Sequence, residues 1–353
     1  MSTKKTWVAC LLASAVAFGA YAKDIPGPRV VNVQRFATLP DGVRFPEGIA
    51  ANPATGDVFV GTFDNGPNPN KLVRFAHNGQ VSAVKDFGGT PLLGLEFNGG
   101  NVYILNFGAS ALQRIPGDFD ANTPVQTVAT FPSIGAPAPR TVPNPDGSSD
   151  TIIFGSNGFP APNGMVFTRS GDAYVSDSFQ GAIFRIANAT TCSAPCAVTL
   201  VSHDPQLATA GFPPFGANGL ALSPDEKTLF IANTGDNRVL QMDVATAVVS
   251  PFAESIHGAD GLVFDNGLLW VCANQGDVMI ALNAQGRPVA RAGSFEGVDG
   301  NGRPVGLLFP ASPVAVGGVM FVTNLALPLT PAVGDEPEED VTRWTVSSFN
   351  IPR

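Results

Sequence analysis

A passage of one strand, one tight turn and a second strand recurs six times along this 353-residue chain. A chain built this way folds by stacking copies of one unit, because no copy can bury its apolar faces alone. The clearest copy runs Ala217-Asn218-Gly219-Leu220-Ala221-Leu222, turns at Ser223-Pro224-Asp225, and returns as Thr228-Leu229-Phe230-Ile231-Ala232-Asn233. Each copy opens on a glycine inside an apolar run: Glu47-Gly48, Leu93-Gly94, Asn163-Gly164, Asn218-Gly219, Asp260-Gly261 and Val305-Gly306. The glycines are 46, 70, 55, 42 and 45 residues apart. Most of these spacings approach the roughly 40–45 residues of a four-stranded propeller blade.

The second strands also match one another, as in Val58-Phe59-Val60-Gly61, Ala173-Tyr174-Val175-Ser176 and Leu269-Trp270-Val271-Cys272. Asn78-Gly79, Pro224-Asp225 and Asn266-Gly267 stand between strands, where hairpins need turn residues. With 39 glycines, 31 prolines and no sustained helical period, the chain reads as all-β. The expected fold is a six-bladed β-propeller over residues 23–353, with N- and C-terminal strands closing one blade. Arg29–Phe36 and Thr342–Phe349 are the segments expected to share it. The 70-residue interval carries a proline-rich insertion at about 116–160, expected to hold neither strand nor helix and to serve as a lid or as surface decoration. The run Asp335–Asp340 reads as a solvated acidic loop.

Lys4 and Lys5, an apolar run from Trp7 to Ala20, and Ala20-Tyr21-Ala22 form a signal peptide expected to span residues 1–22. The mature protein is therefore expected to be periplasmic or secreted, with no membrane attachment after cleavage. Without Lys4 and Lys5 the 20 basic residues become 18 against 29 acidic, a net charge of −11. Such a surface repels nucleic-acid phosphates and suits small-molecule or cation chemistry. Cys192 and Cys196, four apart, suit a small-loop disulfide in an oxidising compartment or, alternatively, a metal pair. Cys272 reads as a buried strand thiol.

In a propeller the innermost strands line one channel, so equivalent positions at their starts converge. Here these are Glu47, Leu93, Asn163, Asn218, Asp260 and Val305. Asn or Asp before Gly is also ordinary turn chemistry, but four oxygen-bearing residues in one register exceed what turns alone require. Glu47, Asn163, Asn218 and Asp260 are the candidate metal ligands. Two carboxylates and two amides make a hard-oxygen set suited to a divalent metal, Ca²⁺ above all. Asp177, Asn233, Asn274 and Asn324, near the ends of the second strands, are expected to support turns, any inward-facing one standing behind the ligands.

Phe45-Pro46-Glu47-Gly48, Pro162-Asn163-Gly164, Ala217–Asp225 and Ala259-Asp260-Gly261 together resemble the SMP-30/gluconolactonase/LRE-like superfamily, distantly similar to paraoxonase and diisopropylfluorophosphatase. The resemblance implies a metal-bearing channel and hydrolysis of lactones or related esters. It implies Glu47, Asn218 and Asp260 as ligands, and Asn163 as a ligand or a substrate-binding amide. Two departures stand out. Ala161-Pro162 occupies the place of an arginine in the gluconolactonase-like branch, and Leu93 that of the catalytic histidine in the paraoxonase branch.

The expected activity is that of a divalent-metal-dependent hydrolase of a lactone or related ester, the metal polarising the carbonyl. Asp260 is the candidate catalytic residue, activating water or attacking directly, and His257 is a candidate proton shuttle or simply an exposed loop residue. The alternative is a non-catalytic binding or interaction module with a structural metal, because Phe230–Val239 also resembles NHL-type propellers.

Overall fold

Every residue of the second strands Val58–Thr62 and Ala173–Asp177 is buried, whereas the outer strand Val81–Gly88 is largely exposed. That gradient follows from stacked blades: strands near the axis are covered on both faces, and their sequences are accordingly continuous apolar runs. The computed structural model describes residues 28–155, 159–330 and 335–352. The expected signal peptide, residues 1–22, lies outside the described residues.

Six four-stranded antiparallel blades surround one channel. Their innermost strands are Pro46–Ala51, Leu92–Asn98, Pro162–Phe167, Ala217–Leu222, Ala259–Asp265 and Pro310–Val316. Each packs beside the next, and the last returns to the first. Closure is as expected: in blade 6, Gln34–Thr38 pairs with Thr345–Asn350, which pairs with Val319–Asn324. The first segment does more than close the ring. Arg29–Val31 runs parallel to Pro288–Ala292 on the edge of blade 5 before the chain crosses to blade 6. One segment therefore straps two blades.

Two expectations are corrected. Val305 does not begin the sixth inner strand; it lies in a short hairpin, Phe295–Val298 with Pro304–Gly306, and is exposed. Ala311, the second residue of Pro310–Val316, holds the equivalent register. The cause is Ser312, which stands where the other five copies have glycine. The insertion is also not free of regular structure. Gln126–Thr130 is the outer strand of blade 2, and Arg140–Pro143 pairs with Ser149–Ile152 around an Asn144-Pro145-Asp146-Gly147 turn. Pro143 fits because it ends its strand. Gln180, fully buried, ties the insertion to blade 3: its Oε1 accepts from Gly135 N at 3.0 Å and its Nε2 donates to Pro132 O at 3.1 Å.

Cys192 and Cys196 form a disulfide, and Cys272 is a buried free thiol. Among the described residues no helix is long and apolar enough to cross a membrane.

Candidate metal centre and cavity

The pairing of each inner strand slips between its first and fourth residues, from Pro46/Ile49 in blade 1 to Pro310/Pro313 in blade 6. The residue before the repeat glycine sits in that bulge. A bulge breaks the two-residue alternation and re-aims a side chain, here toward the axis. The glycine has a separate cause. A Cβ at Gly164 would lie 2.4 Å from Asn218 O, and one at Gly219 2.4 Å from Asp260 O. Neighbouring inner strands thus touch backbone to backbone at the level of the site residues. In blade 6, where Ser312 replaces glycine, Thr323 Oγ1 donates to Glu47 O at 2.8 Å and closes the circle.

Glu47, Asn163, Asn218 and Asp260 are buried and line one cavity. Leu93 and Ala311 complete the ring, both buried. His257 is exposed and is not among the residues lining this cavity.

A second ring, of which the sequence singles out only Asn274, lies one residue beyond the second strands: Phe63, Phe107, Ser178, Thr234, Asn274 and Leu325. Blades 3 to 5 contribute its polar half. Asn163 Nδ2 donates to Ser178 Oγ at 2.9 Å, and Ser178 Oγ donates to Ala217 O of the next blade at 2.7 Å. Asn218 Nδ2 donates to Thr234 Oγ1 at 2.9 Å, which donates to Ala259 O at 2.7 Å. Each hydroxyl has one proton, spent on a neighbouring carbonyl, so toward the amide it can only accept. The amide must therefore turn its nitrogen to the hydroxyl, leaving its oxygen as the group free to face the cavity. Asn274 Nδ2 donates to Asp260 Oδ2 at 3.0 Å. Asn233 and Asn324 instead brace loops and strands behind the ring.

Three buried acceptors at this ring have no donor: Glu47 Oε2, Asp260 Oδ1 and Asn274 Oδ1. Buried oxygens without donors are uncommon, and a cluster of them fits a bound cation. Among the described residues no three His, Cys, Asp or Glu side chains gather as a metal cluster, so the donor set is two carboxylates supplemented by amides. Burial, and then the Asp260 charge, push the Glu47 carboxyl well above the usual range. Burial pushes Asp260 up to about 7 against the lowering effect of the Asn274 amide. Two carboxylates held this way lack a positive partner, the role a divalent ion fills. Cys272 is also pushed up, by burial and by these two carboxylates, which makes it a poor nucleophile.

Blades 6, 1 and 2 give the cavity its other half. Phe63, Phe309, Leu325 and Ala311 form a separate apolar cluster with Leu93, against which Phe215, Leu327 and Leu329 pack.

A family model described as "SMP-30/Gluconolactonase/LRE-like region" matches residues 191–293. No curated protein sequence matches the chain. Among solved structures, the fold is similar to a luciferin-regenerating enzyme (14% identity, 88% of this chain and 92% of that one, TM-score 0.59). It is similar to regucalcin from Agrobacterium tumefaciens, a calcium-binding protein (14%, 92% and 97%, TM-score 0.58). A gluconolactonase from Xanthomonas campestris is also similar (14%, 89% and 88%, TM-score 0.53). At such identities the likeness is one of fold.

Proposed function

We propose, from a propeller that carries an SMP-30/gluconolactonase/LRE-like region, a divalent-metal-dependent hydrolase of a lactone or related ester, exported by its leader to the periplasm or beyond. The observation that carries this reading is the trio of donorless oxygens, Glu47 Oε2, Asp260 Oδ1 and Asn274 Oδ1, at the ring that also holds the Asn163 and Asn218 amides. The disulfide suits an oxidising compartment.

Glu47, Asn218 and Asp260 would hold the ion, most suitably Ca²⁺, with Asn163 as a further ligand or an amide against the substrate. Such an ion supplies Lewis-acid polarisation of the carbonyl and neutralises the charge that develops on its oxygen. The chain's own residues do the rest. Ser178 and Thr234 fix the two amide oxygens, so little reorganisation is needed when substrate arrives. Asn274 holds Asp260 Oδ2 in place, and the Asp260 carboxylate takes the proton of the attacking water as the water oxygen bonds to the acyl carbon. The ring C–O bond then breaks, the proton passes to the departing oxygen, and a hydroxy acid forms. The apolar half of the cavity keeps bulk water away from this step. His257, exposed and outside the cavity, is assigned no step.

The test is a panel of lactones and carboxylic esters assayed with the mature protein before and after chelation and after calcium is restored. Turnover that disappears on chelation and returns with calcium supports the reading; turnover of none of them, with or without calcium, sinks it.

A further inference from the structure

The apolar half of the cavity defines what the substrate carries besides its carbonyl. Four phenylalanine rings close on one another: Phe63–Phe107 at 5.9 Å, Phe107–Phe179 at 5.7 Å, Phe179–Phe215 at 5.4 Å and Phe215–Phe63 at 6.4 Å between centroids. Phe63 and Phe215 of this circuit line the cavity, together with Phe309, Leu325, Leu327 and Leu329. Phe107 and Phe179 back them, so the collar is braced rather than formed by single loose side chains. Leu327 and Leu329 lie on a segment held by Glu336, whose carboxylate accepts from Leu329 N at 2.6 Å and Thr330 N at 2.8 Å. The acidic run is thus more than a solvated loop: one of its carboxylates holds the backbone that presents two leucines.

The polar floor offers little to a hydroxylated substrate. Asn163, Asn218 and Asn274 each spend one amide N–H on Ser178, Thr234 and Asp260, which leaves at most one N–H apiece for a substrate. Among the described residues no Lys, Arg or His lines the cavity. A polyhydroxylated ring would bring several hydroxyls against phenylalanine and leucine and leave them unpaired, which costs binding. A carboxylate or phosphate group would meet two carboxylates and no cation from the chain. A hydrocarbon substituent gains about fourfold in affinity per buried methylene.

Resting on the hydrolase reading above, we propose that the substrate is a neutral lactone or ester bearing an apolar substituent of several carbons, seated in this collar, and not a sugar lactone. Discrimination falls to Phe215 and Leu327, which are only half-buried and so stand where a substituent reaches them.

The experiment uses the full mature chain with excess calcium and a series of five- and six-membered lactones whose alkyl substituent lengthens from methyl to hexyl, with glucono-δ-lactone as comparator. The expected result is a rise in kcat/KM of about threefold to fourfold per methylene until the collar is filled. Glucono-δ-lactone should fall at least about 100-fold below the best substrate. Leu327→Asp and Phe215→Ser should each flatten the rise, while Phe215→Leu, which keeps the site apolar, should retain it. A flat series, or fastest turnover of glucono-δ-lactone, overturns the collar proposal and leaves the hydrolase reading standing. If no lactone or ester is turned over, the hydrolase reading fails, and the collar is judged by binding of the neutral dye Nile red. Saturable binding that Leu327→Asp weakens at least tenfold supports an apolar ligand; no saturable binding overturns it.

Discussion

Asn274 donates to one oxygen of the Asp260 carboxylate at 3.0 Å, and no protein group donates to the other. The pair links the inner strand of blade 5 to the residue just after its second strand, so the carboxylate is held in one orientation by its own blade. An outer partner of this kind typically governs affinity by 10- to 100-fold. Asn274→Ala should therefore weaken calcium binding by about that factor, read by titration of chelator-treated protein, while Asp260→Asn should lower kcat by about 10² to 10⁴. Unchanged calcium affinity in Asn274→Ala would contradict this role.

Backbone contact between inner strands makes a second prediction. Gly219→Ala places a Cβ 2.4 Å from Asp260 O, and overpacking of this kind costs about 1–3 kcal/mol. Because the clash moves Asp260 itself, activity should fall more than stability alone explains. Gly89→Ala, where a Cβ meets nothing within 4 Å, is the control and should change stability by less than about 0.5 kcal/mol. Urea unfolding of the two variants checks both.

Much of this arrangement was legible in the sequence because the ring forces it there. Five of the six blade starts carry glycine where backbones touch, and four carry an oxygen-bearing side chain before it. Ser312 hid the sixth start: with a side chain in that place, Val305-Gly306 in a neighbouring hairpin offered a better pattern than Pro310-Ala311-Ser312. The second ring was within reach. Reading two residues past the aligned tetrads of the second strands arrives at Phe63, Phe107, Ser178, Thr234, Asn274 and Leu325. Only pairing that ring with the first, blade by blade, shows which residues hydrogen-bond the first ring and which are apolar. The hold of Glu336 on Thr330 had no signal, because a single loop hydrogen bond leaves no periodicity.

That hold has a measurable consequence. The hydrogen bond to Thr330 keeps the Glu336 carboxyl below its usual range, so its contribution is present at neutral pH and lost as pH falls through that lowered value. Glu336→Ala should raise KM for apolar lactones several-fold while moving the melting temperature little, since the segment lies at the cavity mouth. A large fall in melting temperature with unchanged KM would show that Glu336 serves the fold and not the collar.

Glu96 lines a second cavity on the channel, which Asn163 and Asn218 also reach. Burial pushes its carboxyl from an ordinary 4.5 up to about 7. A carboxyl raised on folding takes up a proton, so stability is greatest below about 4.5 and declines as pH rises to about 7. Glu96→Gln should flatten that decline, and the gap between variant and parent in urea midpoint should widen from pH 5 to pH 8. A gap that does not change with pH would remove Glu96 from the account.

The central claim is that Glu47, Asn163, Asn218 and Asp260 form one divalent-cation site. The most direct measurement is calorimetric titration of calcium into chelator-treated protein, alongside the Asp260→Asn and Glu47→Gln variants. The account predicts one equivalent bound per chain, with affinity falling at least about tenfold in each variant. No saturable binding, or binding of equal strength in both variants, would contradict it.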